Sequence, residues 1–476
     1  MMARDIPSLT RRGFLRVSLA GALGAAATTH AAAMAPGDSC PNIVIVVMDT
    51  ARKDHMSCCG YERETTPFLR RLAADARVYA NAYATSCWTV PSHGSLFTGL
   101  YPVSHAATWE NYRLDQQLTT LAEVLQINGY RTVGICENPA VRPSLGFAKG
   151  FEAYSIPRQL PRKIDSNALR AFHAAVRADD SRPFFAFVNL IAPHDPYDSS
   201  GQFFGCFLSD PAYRSRVHID LLEILVNGRQ MEERWLTHLI EHYDAEVRYC
   251  DYLVMKMVEV LRAYRKWDHT VFIVTSDHGE NLGDHGLLNH QFCLYESVVR
   301  IPLMIHFPPI FPRESEETAC VQLTDVFPTI LQLLDLDPAS FPNQGYSLLP
   351  DAVPPDRPIV CEYAEHARFR AAKIADRRWK HPRVRQFKRR LTSIRYDRMK
   401  LIRGSDGWHR LYDLINDPEE MRDLSNDPTY GAVKDELTLR MGKFLTRCRT
   451  EQPPPTEQAA PLDKGAEDAL KALGYL

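Results

Sequence analysis

The feature that most constrains the fold of this chain is a set of short, continuously apolar segments separated by amphipathic ones. The apolar segments are rich in β-branched and aromatic residues, and we predict buried strands at 42–48, 131–136, 183–190, 270–276 and 301–307. Helical patterns lie between them at 66–76, 118–130 and 242–264. Strands that are apolar on both faces and alternate with helices indicate a layered α/β fold around a largely parallel sheet.

The composition of the sequence changes near residue 350. Proline clusters and an Arg/Lys-rich stretch are followed by "MKLIRGSDGWHRLYDLINDPEE", which favours a smaller α+β subdomain. We therefore predict a catalytic domain at 40–345 and a C-terminal subdomain at 346–476. The final "AEDALKALGYL" is amphipathic and is expected to dock against the rest of the chain.

The first 35 residues have the pattern of an export signal rather than of folded structure. Arg11 and Arg12 precede a weakly apolar Ala/Gly/Leu run that ends in small residues, as in a twin-arginine signal peptide. A membrane anchor is the weaker alternative, because the run is short and is interrupted by Ser, Thr and His. No later segment reaches the roughly 18 apolar residues of a membrane span. We expect a soluble periplasmic or extracytoplasmic protein, and the net charge of -2 gives no reason to expect a nucleic-acid partner.

Two predicted strands end in residues that can bind a metal. "NIVIVVMDT" ends in Asp49, and "TVFIVTSDHGE" ends in Asp277 and His278. Ligands of such sheets bind beyond the carboxyl ends of the strands, so these side chains are expected to converge. Two carboxylates and an imidazole form an O/N donor set for a divalent cation. For either site alone, a carboxylate that serves only as a helix cap is the more common role.

The stretch "SCWTVPSHGSLFTG" places Thr89 two residues before a proline at the start of an apolar helix. The start of a helix attracts anions through its free N–H groups and the macrodipole. A threonine hydroxyl becomes a nucleophile when a metal lowers its pKa. Taken alone, this stretch is equally consistent with Thr89 as the attacking group and with Thr89 as the N-cap of the helix.

Three further residues lie in positions suited to an anionic substrate. His194 in "NLIAPHDPY" follows a strand, and His290 lies on the approach to the next one. Either histidine could contact an anion and protonate a leaving group. Arg52, three residues after Asp49, could contact the anion, and a solvated surface arginine is an equal alternative.

Several motifs together resemble the sulfatase family of the alkaline-phosphatase-like superfamily. In chain order they are "NIVIVVMDTARKDHMSCCGY", "TVPSHGSLFTGLYP", "APHDPY", "TSDHGENLGDHG", "LYESVVRIPLMI", "LYDLINDPEEMRDL" and "LKALGYL". The resemblance covers about residues 40 to 476. It implies an α/β/α sandwich with a smaller C-terminal sheet subdomain, and one divalent metal, Ca²⁺, Mn²⁺ or Zn²⁺. The metal ligands that the resemblance implies are Asp49, Asp277, His278 and Thr89, the last of which is also the nucleophile. The substrate contacts that it implies are His93, His194, His290 and Asn111, which lies in "WENYRL".

The chain departs from the family pattern at the nucleophile. Family sulfatases carry Cys or Ser in Cys-X-Pro-X-Arg, which is converted to formylglycine, whereas this chain has Thr89 and His93 at the two ends of that motif. Glu137-Asn138-Pro139 stands where Lys-Trp-His is common, so two cationic contacts are missing. A formylglycine hydrate expels sulfate by collapsing to the aldehyde. A threonine ester has no such route and must be released by water or an alcohol.

These departures leave three hypotheses. The first is an ester hydrolase with a Thr89 nucleophile, with phosphate diesters slightly favoured and a phosphotransferase reaction if an alcohol replaces water. The second is a sulfuric ester hydrolase that does not need formylglycine, and the third is an inactive, metal-stabilised anion-binding protein. The basic stretch at 368–404 makes a sulfated glycan, a teichoic-type polymer or a lipid headgroup a candidate partner, although most such stretches are solvated surface.

Overall fold

A computed structural model describes residues 40–157, 166–178, 180–198, 201–210, 219, 224–226, 231–312, 315–350, 352–364, 377–452, 454 and 462–472. The predicted export segment at 1–35 lies outside these residues. Within the described part of the chain, no helix is long and apolar enough to cross a bilayer.

A nine-stranded mixed sheet lies at the centre of the larger domain. Its strands are β1 (Asn42–Met48), β2 (Arg77–Tyr83), β3 (Arg131–Cys136), β4 (Ala153–Ser155), β5 (Phe184–Leu190), β6 (Thr270–Thr275), β9 (Arg300–Ile301), β10 (Leu303–His306) and β11 (Ser315–Gln322), while β7 (Asn281–Leu282) and β8 (Leu288–Asn289) form a separate hairpin. The strand order is β11-β2-β10-β6-β1-β5-β3-β4, with β9 beside β2. The strands from β6 to β4 run parallel, and β10 is antiparallel to both of its neighbours. The predicted mostly parallel α/β sheet is therefore confirmed.

The helices of this domain connect the strands and cover the sheet. They are Pro67–Ala73, Thr89–Thr98, Pro102–His105, Leu121–Ile127, Asn167–Arg177, Glu233–Ala263, Glu296–Val299 and Val326–Leu333. The long helix begins at Glu233, nine residues before the predicted start. Trp235, Leu236, Leu239 and Ile240 in its first turns continue the apolar face of the helix, so the predicted start was wrong. The strand predicted at 301–307 is divided at Pro302, which lacks the N–H that a continuous ladder needs.

The burial of β1 explains why the sequence of this strand is apolar throughout. Ile43, Ile45 and Val47 belong to the core on one face of the sheet. Val44, Val46 and Met48 belong to the core on the other face. Because side chains alternate along a strand, a strand between two helical layers must be apolar at every position.

The C-terminal subdomain is built on a four-stranded antiparallel sheet. Its elements are β12 (Ile359–Tyr363), β13 (Leu391–Tyr396), β14 (Met399–Gly404), β15 (His409–Asp413) and the helices Pro382–Arg385, Gly431–Glu451 and Lys464–Ala472. Ala466 and Leu470 in the last helix are buried in the main core, as predicted for the tail. Residues 473–476 of the predicted docking segment lie outside the described residues.

A buried ion cluster joins this small sheet to the larger domain. Lys400 on β14 is 2% exposed, and its Nζ lies 2.8 Å from Glu296 Oε1 and 2.9 Å from Glu420 Oε1. Burial works to lower the pKa of Lys400, but the two carboxylates raise it above its ordinary value. Burial also raises the pKa of Glu420 to about 7. The ammonium group is therefore the charge that makes burial of both carboxylates tolerable.

Candidate active site

The four central strands bring polar side chains to one edge of the sheet. In the order β6, β1, β5 and β3, their carboxyl ends carry Asp277, Asp49, Asn189 and Asn138. All four side chains are buried. The parallel arrangement therefore assembles a polar cluster from segments that are far apart in the sequence.

Asp49, Asp277 and His278 form a group that could hold a metal ion. One ligand atom from each lies within 4.8 Å of the other two. Asp49 Oδ2 accepts hydrogen bonds from Asn138 Nδ2 (2.8 Å) and Asn189 Nδ2 (2.9 Å). The second oxygens, Asp49 Oδ1 and Asp277 Oδ2, are buried and accept no hydrogen bond from the described residues. Such orphaned acceptors need a cation or another donor.

The hydrogen bond of His278 Nδ1 leaves its Nε2 facing the carboxylate of Asp277. Its Nδ1 lies 2.9 Å from the Gly279 carbonyl oxygen, which can only accept, so Nδ1 carries the proton. Its Nε2 therefore presents a lone pair, 3.4 Å from Asp277 Oδ2. A backbone carbonyl that fixes the tautomer in this way is typical of metal-ligating histidines.

The electrostatics of the two carboxylates also favour a bound cation. Burial, and after it the charge of Asp49, raises the pKa of Asp277 well above its ordinary value. For Asp49, burial works in the same direction, but the imidazoles of His194, His278 and His93 bring its pKa below the ordinary value. Two buried carboxylates this close do not both ionise easily without a positive charge between them. The donor set therefore fits a divalent metal.

Thr50, the residue after Asp49, helps to orient Asp277. Its backbone has φ 57°, an unusual conformation for a β-branched residue. This conformation lets Thr50 N donate to Asp277 Oδ1 at 3.1 Å. Tyr243 holds the turn in place, because its hydroxyl donates to Thr50 O (2.8 Å) and accepts from Arg52 N (2.7 Å). The strained turn thus supports one of the metal-ligand candidates.

Thr89 is the first residue of the helix Thr89–Thr98, and Trp88 occupies the N-cap position. The hydroxyl of Thr89 is therefore not used as the N-cap. Its Oγ1 lies 3.4 Å from His278 Nε2 and 3.3 Å from Asn138 Nδ2. Position 89 thus lies beside the group formed by Asp49, Asp277 and His278, and its role as nucleophile and ligand stays a prediction. Cys87 is also buried, two positions before it.

The sequence analysis missed the two asparagines of the cluster. Asn138 Oδ1 accepts from Ala140 N (2.9 Å), which orients its amide so that Nδ2 faces Asp49 and Thr89. Asn189 Oδ1 accepts from Asn138 N at 3.2 Å. The available signal was a polar residue at the carboxyl end of an apolar strand, which "FFAFVNL" shows at Asn189.

His194 and His290 lie next to this cluster. Their ring centroids are 5.3 Å apart, and the His290 ring is 4.5 Å from that of His278. Glu280, also missed in the sequence, places Oε1 at 3.1 Å from His290 Nδ1. Burial, and after it the charge of His194, lowers the pKa of His290 to about 3. A neutral His290 is therefore expected near neutral pH.

The guanidinium of Arg52 is fully engaged by contacts within the protein. Its guanidinium donates to Asp54, to Asp284 and to the Glu280 carbonyl oxygen. These contacts use all five N–H donors. The substrate contact predicted for Arg52 therefore has no donor left, and the side chain instead stabilises the loop that follows β6. The sequence could not reveal this, because Asp284 is 232 positions away.

The other two predicted substrate contacts differ in position. His93 is buried in the cluster, with Nδ1 2.9 Å from the Thr89 carbonyl oxygen and Nε2 3.4 Å from Asn189 Nδ2. Asn111 is half-buried in a turn, where its Oδ1 accepts from Arg113 N at 3.2 Å. It lines a cavity with Trp88 and Pro91. The structure thus places His93 beside Thr89, the nucleophile candidate. Asn111 lies in a cavity wall that it shares with Trp88 and Pro91, near the start of the helix Thr89–Thr98.

Comparisons with known proteins identify the family of this chain. A profile of the sulfatase family matches residues 41–336, more than half of the chain. The chain belongs to the sulfatase family. A second profile, described as N-sulphoglucosamine sulphohydrolase, C-terminal, matches residues 283–447. This sulfatase-family hydrolase therefore carries both halves of the architecture that its motifs implied.

Individual relatives share a low sequence identity with this chain, but the similarity extends over most of its length. The chain is 23% identical to an ulvan-active sulfatase of Formosa agariphila, over 85% of this chain and 80% of that protein. A protein solved in complex with its substrate D-glucosamine-2-N,6-O-disulfate superposes with a TM-score of 0.71 at 20% identity, covering 88% of this chain and 100% of the other. The phosphonate monoester hydrolase of Agrobacterium radiobacter gives a TM-score of 0.66 at 19% identity, covering 87% and 96%. The predicted alkaline-phosphatase-like fold is confirmed.

Proposed function

We propose that this chain hydrolyses sulfate or phosphate esters with Thr89 as the nucleophile and one divalent metal as cofactor. The observation that supports the proposal best is the position of Thr89 Oγ1, 3.4 Å from His278 Nε2 within the buried Asp/Asp/His group. Sulfatase-family enzymes generally depend on a divalent metal, and this chain has a donor set that could hold one.

The reaction follows from the placement of the side chains. A bound divalent cation would lower the pKa of the Thr89 hydroxyl and neutralise negative charge. Thr89 Oγ1 attacks sulfur or phosphorus, and the bond to the ester oxygen breaks. His194 donates a proton to the departing oxygen. Water then attacks the threonine ester and regenerates the hydroxyl. An alcohol in place of water would give a transferase.

The chemistry of the site slightly favours a phosphate diester over a sulfate ester. Glu137 and Pro139 stand where the sulfatase pattern has its two cations, and Asn138 between them supplies an uncharged donor. Phosphoryl transfer depends mainly on positioning and charge neutralisation, which this cluster can provide without the aldehyde chemistry of formylglycine. A sulfuric ester hydrolase that does not need formylglycine is the second candidate. It is supported by the ulvan-active relative.

Three matched p-nitrophenyl esters provide the test: a sulfate, a phosphate monoester and a phosphate diester. After removal of metal with EDTA, we expect activity on all three to fall to background and the melting temperature to drop, because Asp49 and Asp277 lose their counter-charge. Mn²⁺ or Zn²⁺ should restore both better than Ca²⁺. The reason is that two carboxylates and an imidazole suit these metals, whereas Ca²⁺ prefers six to eight oxygens.

The readout is kcat/KM for each ester, with the melting temperature measured in parallel. A higher value for the diester supports the first candidate, and a higher value for the sulfate supports the second. Metal that stabilises the fold without hydrolysis of any ester would overturn both and favour an inactive anion-binding protein.

Asn138→Ala is expected to lower kcat/KM about 100-fold, because it removes a buried donor from the attacking oxygen. The same change removes one of the two amide donors to Asp49. Asn128→Ala, at an exposed helix end, is the matched control and should change kcat/KM less than about twofold. Equal activity of both variants at equal metal content would show that Asn138 does not assist the reaction.

A further inference from the structure

A second cavity, of about 620 Å³, is lined on one side by residues 285–287 and 292–295, which belong to the segment between β6 and β9. Three arginines line it, Arg383, Arg389 and Arg410, and the described lining residues include no carboxylate. Two of these arginines come from the basic stretch that the sequence analysis singled out. The volume is within the range of small-molecule sites, and the lining carries three guanidinium groups, two of which also contact carboxylates outside the lining through Nε. We refer to it as the arginine cavity.

Two of the arginines are held against an aromatic ring. The Cζ atoms of Arg389 and Arg410 lie 4.8 and 4.9 Å from the centroid of Trp408. Arg389 Nε lies 3.2 Å from Asp406 Oδ2, and Arg410 Nε lies 3.4 Å from Asp423 Oδ2. Burial lowers the pKa of Arg389, and the charge of Arg410 lowers it further. An anion that contacts both guanidinium groups would offset this repulsion.

One loop connects this cavity to the active site. It begins at the candidate metal ligands Asp277 and His278, and it contains His290. Phe292, which lines the arginine cavity, follows His290 by only two residues. Two residues of extended chain span at most about 7 Å, so the cavity wall begins close to the reaction centre. The opposite wall comes from the C-terminal subdomain, through Arg383, Arg389 and Arg410.

We propose that the arginine cavity binds a second tetrahedral anionic group, a sulfate or a phosphate, of a saccharide substrate whose scissile ester reaches Thr89. This inference rests on the proposed function for the position of the scissile ester. Arginines pair with such groups through two parallel N–H contacts, and Phe292, Phe387 and Trp408 offer apolar surface to a sugar ring.

A membrane lipid fits the cavity less well than a saccharide. A lipid headgroup would need apolar side chains exposed at the rim to enter the bilayer. In the described part of the chain, the large exposed apolar side chains are Ile127, Ile156, Tyr264, Ile415, Met421 and Leu439. None of them lines the arginine cavity.

Binding can be measured without turnover by using the full chain with Thr89→Ala. The probes are a labelled heparin tetrasaccharide, its desulfated counterpart, a phosphorylated oligomannose and anionic phosphatidylglycerol vesicles, all at 0.15 M salt. Adding Arg389→Ala and Arg410→Ala should weaken binding of an anionic saccharide at least about tenfold, because two charge-assisted contacts are lost. The matched control combines Arg385→Ala and Arg403→Ala, two exposed arginines that line neither cavity, and should change binding less than about twofold.

The sulfated and phosphorylated probes identify which anion is preferred, and the desulfated probe should not bind. Arg389→Lys with Arg410→Lys keeps both charges and should retain most of the binding, which separates loss of charge from loss of fold. An equal effect of the control pair, or tight binding of the desulfated probe, would overturn the proposal. Binding to vesicles that depends on Arg389 and Arg410 would also overturn it.

A kinetic comparison separates this inference from the proposed function. In the chain with Thr89 intact, the Arg389→Ala and Arg410→Ala pair should raise KM for a multiply sulfated saccharide, whereas the Arg385→Ala and Arg403→Ala pair should leave that KM unchanged. No hydrolysis of any ester would remove the proposed function, while the binding measurements would still decide whether the cavity takes an anionic saccharide.

Discussion

Replacing Thr89 with alanine is expected to lower kcat/KM by a factor of about 10⁴ or more, because the attacking oxygen is removed. The fold should remain intact, since the change deletes a small side chain at the first turn of a helix that is buried throughout its length. Intact-mass analysis of enzyme mixed with substrate should detect a sulfuryl or phosphoryl adduct on the unmodified chain and none on the variant.

Two further substitutions at position 89 refine this result. Thr89→Val keeps the shape and removes the hydroxyl, so it should be as inactive as Thr89→Ala. Thr89→Ser keeps a hydroxyl in reach of His278 Nε2 and should recover a measurable part of the activity. Full activity of Thr89→Val would exclude Thr89 as the nucleophile and would direct attention to an activated water.

Replacing Lys400 with methionine is expected to destabilise the fold by about 3–5 kcal/mol, because it leaves Glu296 and Glu420 buried without their shared cation. Methionine preserves most of the volume of the lysine stem, so the loss is mainly electrostatic. Thermal or urea unfolding at neutral pH measures it. Lys256→Met is the matched control, because the Lys256–Glu259 pair lies on the surface, and its effect should stay within about 0.5 kcal/mol.

The pH dependence of the Lys400→Met variant provides a second readout. Without the ammonium group, burial raises the pKa values of both carboxyls above the unfolded value, which is about 4.3 for Glu. A group whose pKa is raised on folding loses stability as the pH rises through the window between the two values. The deficit should therefore be larger at pH 8 than at pH 5. A deficit independent of pH would show that packing, rather than charge, causes it.

Membership of the sulfatase family and the use of threonine at the nucleophile position are separate conclusions. The family profile and the fold establish the first. The second is a proposal based on the contacts of Thr89 with His278 and Asn138. A threonine ester lacks the second hydroxyl of a formylglycine hydrate, so its release would require attack by water or an alcohol. The group that positions this water or alcohol would then determine whether the reaction is a hydrolysis or a transfer.

Residues at the ends of apolar strands were the most predictable part of the site. Asp49, Asp277 and His278 follow buried strands, and parallel strands place their carboxyl ends at one edge. Thr89 was identifiable because a proline two residues later marks a helix start. Asn138 and Asn189 could not be identified from the sequence, because an asparagine near the end of a strand is common. Both amides reach Asp49 only because β3, β5 and β1 are neighbours in the sheet.

The layered α/β fold and the donors at the sheet edge follow from local properties of the chain, namely strand periodicity and the residues after each strand. Which of these donors contact one another depends on packing. Packing engages the N–H donors of Arg52 within the protein, directs the Asn138 amide toward Thr89 Oγ1 and lines the arginine cavity with residues of the segment after β6 and of the C-terminal subdomain. The physical reason is that each of these outcomes depends on partners far apart in the chain, and their distances are set by strand order and packing.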